Sequence, residues 1–122
     1  KQENIFNVDE RNVLGRRAGL DVAELQDKAV DAANLLKSMS NESRLLILCN
    51  LAEGEKSVGE LQSLVALSQS ALSQHLAVLR RDGIVATRRS AQSIFYRLES
   101  EPAKAIMATL YVYFCGEISA IP

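Results

Sequence analysis

Two helix-start signals standing close together constrain this chain most. Ser57-Val58-Gly59-Glu60 puts a hydroxyl three residues ahead of a carboxylate, the form of a capping box. Ser68 is a second N-cap, because its side-chain oxygen can accept from the unpaired amides of a new first turn. The residues between them therefore hold only a short helix, which carries Leu61 and Leu64 inward. From Gln69 to Asp82 the chain runs without Gly or Pro, and Gly83 marks the C-terminal cap of a separate helix. Ile84 to Arg89 and Ser93 to Leu98 are β-prone and flank Ser90-Ala91-Gln92, a hairpin pattern. Two short helices joined by a tight turn and followed by a hairpin form the winged variant of the helix-turn-helix.

The rest of the chain supplies a helical scaffold. Between Val22 and Met39, Leu25, Ala29, Ala32, Leu36 and Met39 recur at three-to-four spacing. After the cap chemistry of Ser40-Asn41, Glu42 to Ala52 repeats the period with Leu45, Leu48, Cys49 and Ala52, and Gly54 ends that second helix. The last segment has Ala103, Ile106, Met107, Leu110, Tyr111 and Phe114 at helical spacing, with Pro102 in its first turn. The fold class is mainly α with a β hairpin, in the order α-α-α-α-β-β-α. Residues 1–21 mix charges with Gly15 and Gly19 and read as a mobile or irregular arm, 22–117 as the domain and 118–122 as a tail.

A chain of 122 residues suffices for one core. With 48% hydrophobic and 24% charged residues it is neither disordered nor membrane-like, and no apolar run approaches the roughly 18 residues of a bilayer span. Lys1 to Val8 shows no secretory pattern, so the expected compartment is the cytoplasm, where Cys49 and Cys115 stay reduced. The net charge of −1 argues against a nucleic-acid binder, but its distribution argues for one. Ser68 to Arg97 contains five arginines and one acid, Asp82, a local +4, which leaves −5 on the rest of the chain. Phosphate attraction is thereby concentrated on one segment.

The helix from Gln69 fits the part that enters a major groove. Leu72, Leu76 and Leu79 form one stripe, while Ser70, Gln74, Ala77 and Arg81 form the opposite one. A solvated surface helix usually carries Glu and Lys there. Gln69, Ser70, Ser73 and Gln74 can donate to and accept from base edges, Gln74 being suited to adenine. Arg80, Arg81, Arg88 and Arg89 are expected to hold phosphates or, with Gln92 at the wing tip, a minor groove. Ser57 joins this set of candidates at the start of the preceding helix. The alternative is a surface helix followed by an ordinary hairpin. His75 falls between the two stripes, and a half-buried packing or hydrogen-bonding role is expected there rather than metal ligation.

These residues carry a resemblance. LLKSMSNESRLLILC, EGEKSVGEL, LSQSALSQHLAVLRRDGIV and IFYRL, spread over Leu35 to Leu98, resemble the ArsR/SmtB family of small winged-helix repressors. The resemblance implies a homodimer built through the first and last helices, with its reading helices about one duplex turn apart on double-stranded operator DNA. Many members of that family sense metals, but the usual ligand positions do not match. Where thiolate sites cluster, this chain has Ser57-Val58-Gly59-Glu60, and Ala103 to Gly116 contains no His. No metal site and no cofactor are expected.

The cysteines carry a narrower resemblance. Taken singly, Cys49 on an apolar stripe reads as a small buried hydrophobe. The contexts LLILCNLAEGEKSVGEL and LYVYFCGE, 66 positions apart at their cysteines, resemble the reactive-sulfur-sensing subgroup of the family. That resemblance implies that the reduced protein binds DNA and that a persulfide drives a polysulfide bridge between Cys49 and Cys115. Added sulfur atoms relax the narrow geometry of a direct disulfide. A metal-responsive regulator and a thiol oxidoreductase are the alternatives. The second lacks a CxxC, a Ser-His-Asp set or a phosphate loop, so an enzyme is not expected.

Overall fold

The computed structural model describes residues 21–116, so all but the last residue of the arm expected over 1–21, and the tail expected over 118–122, lie outside the described residues. The chain divides into two compact units, 1–34 and 35–122. The first helix, α1 (Val22–Met39), has residues in both. Asp21, placed by sequence in the arm, caps it, with Oδ1 accepting from the Ala23 amide at 2.9 Å and the carbonyl from the Leu25 amide at 3.1 Å. In the first unit, residues 21–34 are all exposed, Leu25 among them. In the second, α1 buries Ser38 and Met39 and leaves Leu36 exposed.

The second unit holds every other element. Asn41 caps α2 (Glu42–Ala52) by accepting from the Arg44 amide at 3.0 Å. A two-residue strand, β1 (Lys56–Ser57), leads into α3 (Val58–Leu64). The capping box closes as expected: the Ser57 hydroxyl accepts from the Glu60 amide at 3.1 Å, and Glu60 Oε1 accepts from the Ser57 amide at 2.7 Å. Ser68 then caps α4 (Gln69–Arg81) by accepting from the Ala71 amide.

The end of α4 is a Schellman turn. The Ile84 amide reaches the Leu79 carbonyl at 2.9 Å and the Gly83 amide the Arg80 carbonyl at 3.1 Å. Gly83 has φ +75, which a side chain would strain. Leu79 and Ile84 are both fully buried, the apolar contact that accompanies this motif. Strands β2 (Val85–Ser90) and β3 (Ser93–Leu98) form the hairpin, and α5 (Glu101–Cys115) starts at the Ser100 cap and stops at Gly116, φ +80.

Three sequence expectations are corrected here. The sheet has three strands in the order β1-β3-β2, because Lys56 and Ser57 pair with Tyr96 and Phe95. Two residues are too few to show alternation, so β1 leaves no periodic signal. The hairpin loop is Ala91-Gln92 alone, since Ser90 pairs with Ser93, and Ile84 precedes the strand, accepting from the Glu99 amide at 2.9 Å. Leu64 is 53% exposed, and Val65, just past the helix, takes the inward place beside Leu61.

The core gathers Met39, Ile47, Leu48, Leu51, Leu61, Leu72, Leu76, Leu79, Ile84, Val85, Leu98, Ala103 and Met107 from every element except β1. The buried face of α2 is Ile47, Leu48 and Leu51, so Cys49 and Ala52 turn outward. The near-continuous apolar run LLILCNLA cannot fix a face by period, and packing decides it.

Candidate nucleic-acid interface and cysteine pair

Leu72, Leu76 and Leu79 lock α4 to the core, which forces Gln69, Ser70, Ser73, Gln74, Ala77, Arg80 and Arg81 outward together. All are exposed, as the two-stripe pattern requires. Beside them lies an open groove of about 420 Å³ lined by Val58, Ser73, Leu76, Ala77, Arg80, Arg81 and Tyr96. Its lining combines apolar side chains with the guanidinium groups of Arg80 and Arg81. Tyr96 is a member of this face that periodicity could not find, because it reaches the groove from β3.

The arginines are not equivalent. Arg81 grips Asp82 with Nε to Oδ1 at 3.0 Å and Nη2 to Oδ2 at 3.1 Å. That fork holds the Asp82 carboxyl below its usual range, helped by the Ser38 hydroxyl, and raises the Arg81 guanidinium. Arg88 is tied to Glu55 at 2.8 Å and lies 4.6 Å from the centroid of the Phe95 ring. Neither Arg81 nor Arg88 is thus the unencumbered cation that composition alone implies. Arg80 and Arg89 are exposed, and Gln92 stands in the exposed turn of the hairpin. The Ser57 hydroxyl is committed as an acceptor inside the capping box, at the joint of β1 and α3.

His75 lies on the flank of α4 and is half-buried. Arg44 Nη1 stands 3.2 Å from its Nδ1, and Arg44 Nε donates to the Ser38 carbonyl at 2.6 Å. A guanidinium only donates, so Nδ1 is the acceptor in this contact. The expected hydrogen-bonding role for His75 therefore has a named partner. Arg44 and Ser38 escaped the sequence reading, although a lone cation at the head of an apolar helix was a signal.

Cys49 and Cys115 are both exposed free thiols. Exposure replaces the buried role that Cys49 would take if judged singly. They sit on α2 and at the end of α5, two helices that pack against each other. Among the described residues no group of three His, Cys, Asp or Glu side chains could hold a metal ion, and no helix is long and apolar enough to cross a membrane.

Comparison with known proteins agrees with this arrangement. Residues 41–87, which run from the α2 cap into β2, match the model of the bacterial regulatory protein arsR family. The chain is 52% identical over 98 residues to the transcriptional activator HlyU of Vibrio cholerae, covering 80% of this chain and 91% of HlyU. It is 46% identical over 94 residues to the biofilm growth-associated repressor of Xylella fastidiosa, covering 77% and 82%. A solved structure of reduced HlyU from Vibrio cholerae superposes with a TM-score of 0.72 at 54% identity, covering 75% of this chain and 97% of that one. With the fold, the exposed α4 face and these relatives in agreement, the chain belongs to the arsR family of bacterial regulatory proteins, as a winged helix-turn-helix transcription regulator related to HlyU and BigR.

Proposed function

We propose that this protein is a homodimeric operator-binding repressor whose DNA affinity is switched by persulfide chemistry at Cys49 and Cys115. The observation that carries the switch is the placement of two exposed, unpaired thiols on two mutually packed helices. Thiol exchange needs access, and both side chains have it. The existence of a relative solved specifically as reduced HlyU supports a redox-dependent state in this branch of the family.

The chemistry balances with a low-molecular-weight persulfide as oxidant. Cys49 thiolate attacks the outer sulfur of one persulfide and a second persulfide extends the chain, each releasing a thiol. Cys115 thiolate then attacks the middle sulfur of the Cys49 hydrotrisulfide and expels hydrosulfide. Two cysteine thiols are oxidised to a trisulfide bridge, and one sulfane sulfur is reduced to sulfide.

In this reading, Ser70, Ser73, Gln74 and Gln69 read bases. Arg80 and Arg89 hold phosphates with Gln92 at the wing tip, Arg81 and Arg88 being engaged by Asp82 and Glu55, and Ser57 positions the helix ahead of them. The dimer forms through α1 and α5, each of which leaves apolar side chains in solvent: Leu25 and Leu36 on the first, Tyr113 and Phe114 on the last. Tyr113 is 79% and Phe114 83% exposed, adjacent apolar surface that a partner subunit would cover. A bridge between α2 and α5 would turn the reading helices relative to the dimer axis and spoil their spacing.

Intact mass spectrometry after persulfide treatment, paired with operator binding by the same samples, tests the proposal. The expected product gains one or more sulfur atoms, loses two hydrogens and releases the operator. Unchanged operator affinity in a fully bridged sample would refute it.

A further inference from the structure

We infer that Arg44 and His75 form a positioning pair that sets the angle at which α4 presents Gln74 to DNA. The inference rests on α4 being the base-reading helix. Between its caps, what otherwise holds α4 is the leucine stripe, Leu72, Leu76 and Leu79, whose apolar contacts carry no direction. Neighbouring side chains on a helix project about 100° apart, so fixing His75 also fixes Gln74, its immediate predecessor.

Arg44 is itself immobilised before it reaches the ring. Its Nε donates to the Ser38 carbonyl at 2.6 Å, and its Nη1 donates to His75 Nδ1 at 3.2 Å. A planar fork with two bonds in fixed directions resists rotation in a way that a point charge on a flexible stem does not. The same Ser38, nearly fully buried, donates its hydroxyl to Asp82 at the far end of α4. One residue at the end of α1 thus connects to the middle of α4 through Arg44 and to its last turn directly. All four residues lie in the unit 35–122.

The test compares operator binding with binding to unrelated DNA at low salt. His75→Leu keeps the bulk of the ring and removes the acceptor, whereas His75→Asn returns an acceptor oxygen near the position of Nδ1. His75→Leu is expected to weaken operator binding about tenfold, the scale of one lost charge-assisted hydrogen bond, with binding to unrelated DNA unchanged. His75→Asn should recover to within about threefold of the parent. Arg44→Lys, which keeps the charge but not the fork, should resemble His75→Leu. Thermal unfolding checks that each variant stays folded. Equal operator affinity of the parent, His75→Leu and His75→Asn would overturn the inference. Gln74→Ala separates the two layers: if it weakens operator binding while His75→Leu does not, the positioning role fails and the reading face stands. If neither does, the reading face itself fails.

Discussion

The hydroxyl of Ser38, at the end of α1, donates to the carboxylate of Asp82, which closes α4 forty-four residues later. Arg81 grips the same carboxylate, and both contacts favour its ionised form, so Asp82 is more acidic in the folded chain than in the unfolded one. A depressed carboxyl stabilises the fold fully above its unfolded range, near pH 4, and that contribution is lost as pH falls through the lower folded value. Asp82→Asn should therefore lower Tm at pH 7. The gap between variant and parent should narrow as pH falls below the unfolded carboxyl range, measured by thermal unfolding across pH. Ser38→Ala should cost about 1 kcal/mol at neutral pH by the same measurement.

The two hairpin arginines should separate in a salt titration. Arg88 is already engaged with Glu55 and Phe95, whereas Arg89 is exposed two positions from the turn. Arg89→Ala is expected to lower the slope of log affinity against log salt by about one, the signature of one lost phosphate contact. Arg88→Ala should change that slope less and lower thermal stability instead. Equal slopes for both variants would contradict the assignment.

Leu61 and Leu64 look alike in sequence but should differ widely in urea unfolding. Leu61 is fully buried, so Leu61→Ala should cost about 2–5 kcal/mol. Leu64 stands half in solvent, and Leu64→Ala should stay within about 0.5 kcal/mol of the parent.

Ala91 takes φ +58 in the two-residue turn of the hairpin, a conformation its Cβ disfavours. Ala91→Gly should stabilise the hairpin by about 0.5 kcal/mol, the relief of that strain less the added freedom of glycine in the unfolded chain. Hydrogen exchange at the β2 and β3 amides would report it.

Much of the fold was legible because its signals are local. Asn41, Ser57 and Ser68 act within four residues of themselves, and Gly83 is called for by the turn it occupies. The outward stripe of α4 was legible for the same reason: Leu72, Leu76 and Leu79 define its opposite within one helix. Tyr96 was not, since it joins that face from another element.

By itself, then, the sequence determined the two closely spaced helices, the hairpin after them and the chemistry of the α4 surface, all properties of short stretches with their own caps and periods. Only the tertiary structure decided that β1 adds a third strand, that Arg88 is occupied by Glu55, that Arg44 reaches His75 and that Cys49 faces solvent. Each of these joins residues distant in the chain or chooses one face of an evenly apolar helix, and only packing against the other elements makes that choice.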